Sequence, residues 1–344
     1  RSFPFVGIFM VLFGLFARLV RLRITIDARR LMDPDRKRYD EIWEGILRGD
    51  EEAGNNGAQL IELADALHSH LPSAFQKQGG PSVVRQYQRL MDDDLWDFDQ
   101  QGTGRTWKSG TTFVGSFKKR LDQSFKTGMG SFAGSSTSLG TMARARIDYS
   151  SPIVSLDLIF CQAMCIDPIL RDKAKEWALR SGGMFRVRAS KVVDQQKYIR
   201  WDRCHNNPVM EDKIKWGTVK SVPRAIEKVL RSYGEDVSFL VDVARQSIVF
   251  GNISDLIRCI KAIGADEEVE IIRAKNRFDP NFDSKASGGF RNVSLNLRIV
   301  THRSRQLGCE THVAELQLLL LEFAENMHVL GHRRYVEFRN VRGE

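Results

Sequence analysis

The segment HVAELQLLLLEFAENMHVLGHRRYVEFR, residues 312–339, does most to limit what this chain can become. Leu316, Leu318 and Leu320 interleave with Gln317 and Leu319, the pattern of a mostly buried strand that runs on into a helix. A strand of that kind requires a sheet with cover on its apolar side. The same run contains a carboxylate, Glu315. Burying such a group unpaired is costly, so Glu315 must lie at an exposed sheet edge, face a cation or hold a metal.

The surrounding sequence supplies the rest of the sheet. MFRVRAS reads as a strand, SVPRAIEKVLRSYG as a helix capped by Ser221 with Pro223 in its first turn, and QSIVF as a short buried strand. NISDLIRCIKAIG reads as another capped helix, and EVEIIRAKNRF and FRNVSLNLRIV as strands. Upstream, SLDLIFCQAM and DPILRDKAKEWALRSGG are helical, the second with Asp167 as its expected cap and paired glycines as its stop. Residues 150–344 are therefore expected to form an α/β or α+β domain, its sheet covered by helices. Residues 24–99 carry helical spacing, and 100–149 turn to Gly, Ser and Thr, as in KTGMGSFAGSSTSLGTM, the composition of a linker.

With 344 residues, 42% hydrophobic and 28% charged, the chain can bury a core in one large or two ordinary domains. Cys161, Cys165, Cys204, Cys259 and Cys309 fall at spacings that suit neither a disulfide framework nor a zinc site, which points to a reducing compartment. The net charge of +9 is local. Residues 171–231 hold 16 lysines and arginines against seven acidic residues, and the remainder balances. Cations gathered beside a balanced fold suit a polyanion, either nucleotide phosphates or RNA, and a solvated helix face is the plainer explanation.

The opening FPFVGIFMVLFGLF, residues 3–16, is continuously apolar and is followed by Arg18, Arg21 and Arg23. It falls short of the roughly 20 residues of a spanning helix, and Pro4, Gly7 and Gly14 weaken it further. Because the chain begins at Arg1 rather than Met, a longer parent is expected. Extended upstream, residues 1–23 become a possible membrane anchor with the arginines on the cytosolic side. The expected location is thus cytoplasmic, free or anchored through residues 3–16.

Several tempting motifs fail. GMGSFA at 128–133 fits a dinucleotide fingerprint but follows a basic helix instead of a strand, and GTGRTWKS at 102–109 lacks the glycine a phosphate loop needs before Lys108. His68 and His70, two apart on a helix, point to different faces. What remains is charge where a core should be quiet. Lys220, Arg224, Lys228 and Arg231 recur at helical spacing, and Asp242 and Arg245 head an apolar strand. Lys275, Arg277 and Arg291 surround the pair Gly288–Gly289, with Phe290 as a flat surface beside them. Two lone acids, Asp242 and Glu315, among so many bases suit a magnesium site facing a phosphate-binding wall. Buried ion pairs of Asp242 with Arg245 and of Glu315 with Arg291 would account for the same residues without chemistry.

The ordered set WGTVKSVPRAIEKVLRSYGEDVSFLVDVARQSIVF, IIRAKNRFDP, SGGFRNVSLNLRI, HVAELQL and GHRRYVEFR resembles the RelA/SpoT-like nucleotidyltransferase domain, especially its divergent eukaryotic multidomain versions. The resemblance covers about residues 150–344 and implies an α+β fold, a mixed sheet flanked by helices; the helical spacing upstream places a mainly helical N-terminal region before it. It implies magnesium-dependent transfer of pyrophosphate from ATP to the 3′ hydroxyl of a guanine nucleotide, GDP or GTP, or another phosphate-bearing acceptor. Asp242 and Glu315 match the metal-binding acids, and Gln317 completes the family's E-hydrophobic-Q strand. Lys220, Arg224 and Lys228 match the ATP-gripping basic region, with Arg245 close by. Lys275 and Arg277 match the loop over the phosphates, Phe290 with Arg291 the guanine-stacking loop, and His332 the histidine of the closing helix. Thr218 stands where the family often has arginine, Phe290 where tyrosine is commoner, and Ser294 or Asn296 where histidine is frequent. The family's hydrolase motif is absent from the sequence. A non-catalytic nucleotide- or RNA-binding module that keeps the fold is the alternative.

Overall fold

The computed structural model describes residues 3–52, 54–55, 57–70, 155–188, 197–327, 334–335 and 338. By compactness the chain divides into residues 1–90 with 151–344 and residues 91–150. The second group lies outside the described residues, as do the whole linker expected at 100–149 and the glycine motifs at 102–109 and 128–133.

Helix α1 (Phe3–Glu52) is continuous despite the glycines and prolines that weaken its sequence. Pro34 interrupts one internal hydrogen bond, but its position is exposed, where water can serve the orphaned carbonyl. Helix α2 (Ala58–His70) buries Leu60, Leu63, Ala66 and Leu67. The two helices predicted between 155 and 183 are one, α3 (Leu156–Ser181). Ser155 is its cap, accepting from the Leu158 amide at 3.4 Å, and Gly182 ends it in the left-handed conformation at φ 71°. Asp167 is therefore no cap. It lies inside α3, one residue before Pro168, and is buried.

Strands β1 (Met184–Arg186) and β2 (Tyr198–Arg200) follow, then the short α4 (Pro208–Asp212) and α5 (Val222–Ser232). Ser221 and Pro223 start α5 as expected, although the Ser221 side chain makes no capping bond. Next come β3 (Arg245–Phe250), α6 (Ile253–Gly264) capped by Asn252, and β4 (Val269–Asn276). Strand β5 (Val293–Ile299), α7 (His302–Leu307), β6 (Val313–Leu320) and α8 (Leu321–Glu325) complete the described elements. The sheet has six strands in the order β2-β1-β3-β6-β5-β4. Only β3 and β6 pair in parallel, so the sheet is mixed and the protein is α+β with a helical N-terminal region.

Register assigns the two faces. Leu316, Leu318 and Leu320 oppose Gln246, Ile248 and Phe250 on β3, and Leu295 and Val293 on β5 meet Leu316 and Leu318. This apolar face packs with Leu256, Ile260 and Ile263 of α6 and with Ile166, Leu170 and Trp177 of α3 in one core. Leu60, Leu63 and Leu67 of α2 and Trp43 of α1 belong to that same core, and the Trp43 ring lies 5.9 Å from that of Phe278. The first two helices are thus part of the sheet's own hydrophobic unit. No helix among the described residues is long and apolar enough to cross a membrane.

Candidate functional site

The opposite face of the sheet is polar, because every second residue of four adjacent strands points the same way. Register places Arg245 of β3, Glu315 of β6, Asn296 of β5 and Arg273 of β4 in one row across the strands. A second row holds Ser247, Gln317, Ser294 and Lys275. Glu315 is thus half-buried inside a polar row that is open at Arg245 and closed at the other end, where Asn296 and Arg273 are buried. Its Oε1 accepts from the Ser294 hydroxyl at 2.7 Å and its Oε2 from the Gln317 amide at 3.2 Å. Neutral donors hold both oxygens, which keeps the negative charge in place without cancelling it. The ion pair with Arg291 considered from sequence does not form. Arg291 instead donates to the carbonyls of Arg277, Asp279 and Phe282 and lies over the Trp43 ring at 4.5 Å.

Asp242 sits in the loop ahead of β3, beside Val241, whose carbonyl accepts from the Asn296 amide at 3.4 Å. Its cations are Lys220 and Lys228, not the Arg245 considered from sequence. Both ammonium groups reach Oδ2, Lys228 at 3.1 Å. Burial works against ionising Asp242, but the two ammonium groups outweigh it and hold the carboxyl well below the usual range. Lys220 bears the opposite balance. Burial first, then the neighbouring Lys228 and Arg245, exceed the pull of Asp242 and bring its pKa down to about 8. Lys228 is held upward, since Asp242 and Tyr233, over whose ring it lies at 5.0 Å, more than offset its burial. The other oxygen, Asp242 Oδ1, is buried with no hydrogen-bond donor.

A network that the sequence did not reveal positions this cluster. Gly217 lies so close to β3 that a Cβ there would stand 2.4 Å from the Arg245 carbonyl oxygen. Gln246, buried on β3, accepts from the Gly217 amide at 2.9 Å and donates to the Gly217 carbonyl at 3.2 Å. Gln246 donates also to Asp167 at 2.7 Å, and Asp167 is ion-paired to Arg171, which itself reaches the Gly217 carbonyl at 3.2 Å. Three residues on, the Lys220 amide bonds the Val243 carbonyl at 2.9 Å. The segment carrying Lys220 is thereby laid along the start of β3, with the ammonium group brought to Asp242. Asp167 signalled this only as a charge inside an apolar helix, and it reads equally well as a cap.

The remaining sequence candidates divide. Arg245, Asn296, Gln317 and Lys275 lie on the polar face. Arg224 is half exposed and pairs with Glu227 at 2.8 Å. Arg277 donates to the Asn292 side chain at 2.7 Å. Phe290 is half-buried and met edge-on by Tyr39 of α1 at 5.5 Å and Phe323 at 6.1 Å, so its ring is packed within the protein. The glycine pair beside it is covered as well, since a Cβ on Gly289 would lie 2.9 Å from the Arg36 carbonyl oxygen of α1. His332 lies outside the described residues. His68 is exposed while the His70 ring packs on Gly264. Part of the basic stretch proves internal. Lys173 is bonded to Asp266 and Glu268 at 3.0 and 2.8 Å, and Lys175 to Glu211 at 2.5 Å.

Among the described residues no three of His, Cys, Asp and Glu converge on a metal position. A magnesium ion held by one or two carboxylates, with water and phosphate completing its shell, does not need a third. The undonated Oδ1 of Asp242 has the chemistry of such a ligand, and Glu315 keeps a charge that its neutral donors leave intact.

No family model and no curated protein matches the chain. Among solved structures, a chain in the crystal structure of the complex between the Type VI effector Tas1 and its immunity protein is similar at 16% identity, over 55% of this chain and 77% of that one, with a TM-score of 0.31. A likeness that slight bears on neither fold nor chemistry. The class defined by the fold and site is an α+β protein with one polar, cation-rimmed sheet face.

Proposed function

We propose that the polar sheet face is a pyrophosphotransferase site, using ATP as donor and the 3′ hydroxyl of a guanine nucleotide or a related phosphate-bearing acceptor. The observation that carries this reading is Glu315, held only by neutral donors, in a polar row next to Arg245, together with a buried Asp242 in the loop ahead of β3 whose Oδ1 has no donor. The ordered resemblance to RelA/SpoT-like domains supplies the reaction. The acceptor's 3′ oxygen forms a bond to the β-phosphorus of ATP while the bond from that phosphorus to the α,β-bridging oxygen breaks. AMP leaves with that oxygen, and the hydroxyl proton passes to Glu315 acting as base. Magnesium, held by Asp242 Oδ1 and Glu315, would neutralise charge on the transferred group. Lys220, Arg245 and Lys275 bind and orient the phosphate oxygens that the metal does not reach.

A second reading is favoured by a different observation. Asp242 already holds two ammonium groups, which satisfy its Oδ2 without a metal and suit a nucleotide- or RNA-binding module that keeps the face without the reaction. Incubating the full chain with labelled ATP, magnesium and GDP, GTP or tRNA separates them. Labelled pyrophosphate on an acceptor, with AMP in equal amount, supports transfer. Saturable binding without either product supports the module.

A further inference from the structure

From Phe9 to Leu19 every large apolar side chain of α1 is more than half exposed. Five successive residues of a helix sweep the whole circumference, and Phe9, Met10, Val11, Leu12 and Phe13 are all apolar. The helix therefore has no polar side here. A groove in a partner protein, or the seam of a coiled coil, covers one stripe and needs polar flanks, so neither matches a helix that is apolar all round. A lipid environment does. Immediately after come Arg18, Arg21 and Arg23, with no acidic residue before Asp27. Such a run of cations beside an apolar segment is complementary to anionic lipid phosphates. Residues 9–17 span roughly 13 Å at 1.5 Å each, about the hydrocarbon depth of one leaflet.

We propose that the first part of α1 is a membrane-insertion segment for an anionic lipid surface, with residues 9–17 entering one leaflet and Arg18, Arg21 and Arg23 lying at the lipid phosphates. The same unbroken helix carries Met32, Tyr39 and Trp43 against the sheet domain, so insertion tethers that domain to the membrane.

The test floats the full chain with vesicles of phosphatidylcholine alone and of phosphatidylcholine mixed with phosphatidylserine. The parent is expected to float with the mixed vesicles and far less with the neutral ones. Replacing Phe13 and Phe16 by Glu abolishes flotation, and replacing Arg18, Arg21 and Arg23 by Ser weakens it roughly a hundredfold, at about fivefold per arginine. These side chains are exposed, so far-ultraviolet circular dichroism should show the variants as folded as the parent. A Phe16→Trp variant adds a readout that needs no loss of binding: its fluorescence is quenched by lipids brominated in the acyl chain. Failure of the parent to float, undiminished flotation of the Glu variant, or self-association through residues 9–20 in place of lipid binding would each overturn the proposal.

Discussion

Replacing Asp242 by Asn removes one negative charge and leaves Lys220 and Lys228 facing a neutral amide. Their side chains are 12% and 21% exposed, so water reaches them little. Stranding a buried charge in this way costs about 3–5 kcal/mol. Deprotonation relieves part of this. Discharging Lys220 at pH 7 from its folded pKa of about 8 costs only about 1.4 kcal/mol, at roughly 1.4 kcal/mol per pH unit. Lys228 then keeps the one charge that faces the amide oxygen, so most of the cost of the lost carboxylate remains. The deficit at pH 7 is therefore expected at about 3–5 kcal/mol, and its pH dependence follows by linkage. In the variant the folded pKa of Lys220 drops below 7 while the unfolded value stays near 10.4, so the unfolded state binds more protons and stability rises with pH. The parent gains nothing until Lys220 begins to discharge near its folded pKa of about 8. The deficit should shrink by about 1 kcal/mol between pH 7 and 8 and then stay level as both proteins gain together. Urea unfolding followed by circular dichroism at pH 6, 7, 8 and 9 measures this. A deficit under about 1 kcal/mol that is flat with pH, or a gain in stability as expected of two carboxylates relieved of mutual repulsion, would refute the ion-pair reasoning.

Because Lys220 loses its proton near pH 8, ATP affinity measured by calorimetry should fall between pH 7 and 9, and Lys220→Met should remove that dependence along with much of the affinity. Glu315→Gln can keep the Ser294 contact, so its stability should change by less than about 1 kcal/mol while transfer from labelled ATP falls at least a hundredfold, roughly the share of a catalytic acid–base group. Gly217→Ala places a methyl against the Arg245 carbonyl oxygen and should destabilise by about 1–3 kcal/mol in urea while raising the Kd for ATP through displacement of Lys220. A fragment beginning at residue 143 strips α1 and α2 from the core around Ile260 and Phe278, so it should aggregate in size-exclusion chromatography where the full chain does not.

The strands were legible because burial on one face writes a period of two into Leu316, Leu318 and Leu320 and into Val293, Leu295 and Leu297. Polar residues between them named much of the site: Glu315, Gln317 and Asn296 were candidates from the sequence, and register brings Arg245 and Lys275 into their rows. Arg273 escaped because it falls at the irregularity between Ile271 and Arg273, where the period breaks. Partner choice was not legible. Asp242 has Arg245 three residues away in sequence, yet the chain path ahead of α5 delivers Lys220 and the helix delivers Lys228. Nothing local encodes that choice. It depends on Gln246 and Asp167, 79 residues apart, meeting under Gly217.

The same limit explains the reading of Phe290. Beside two glycines and several cations, an aromatic residue looks like a surface awaiting a base. An amphipathic helix with its own aromatic can occupy that surface equally well, and Tyr39 does so while its hydroxyl donates to the Asn326 carbonyl at 3.3 Å. Neighbouring polar contacts seat the helix: Asp40 accepts from the Ser284 hydroxyl at 3.1 Å, and Asp35 takes a two-pronged bond from Arg334 at 2.8 and 2.6 Å. The phosphate-facing and base-facing halves of the proposed site are thus in different states. Glu315, Arg245 and Lys275 share a polar sheet face, whereas Phe290 is packed against α1. A donor's phosphates can therefore be recognised without any movement of α1, while stacking of an acceptor base on Phe290 requires Tyr39 to leave. If transfer proceeds as proposed, acceptor binding carries the free-energy cost of that displacement and donor binding does not.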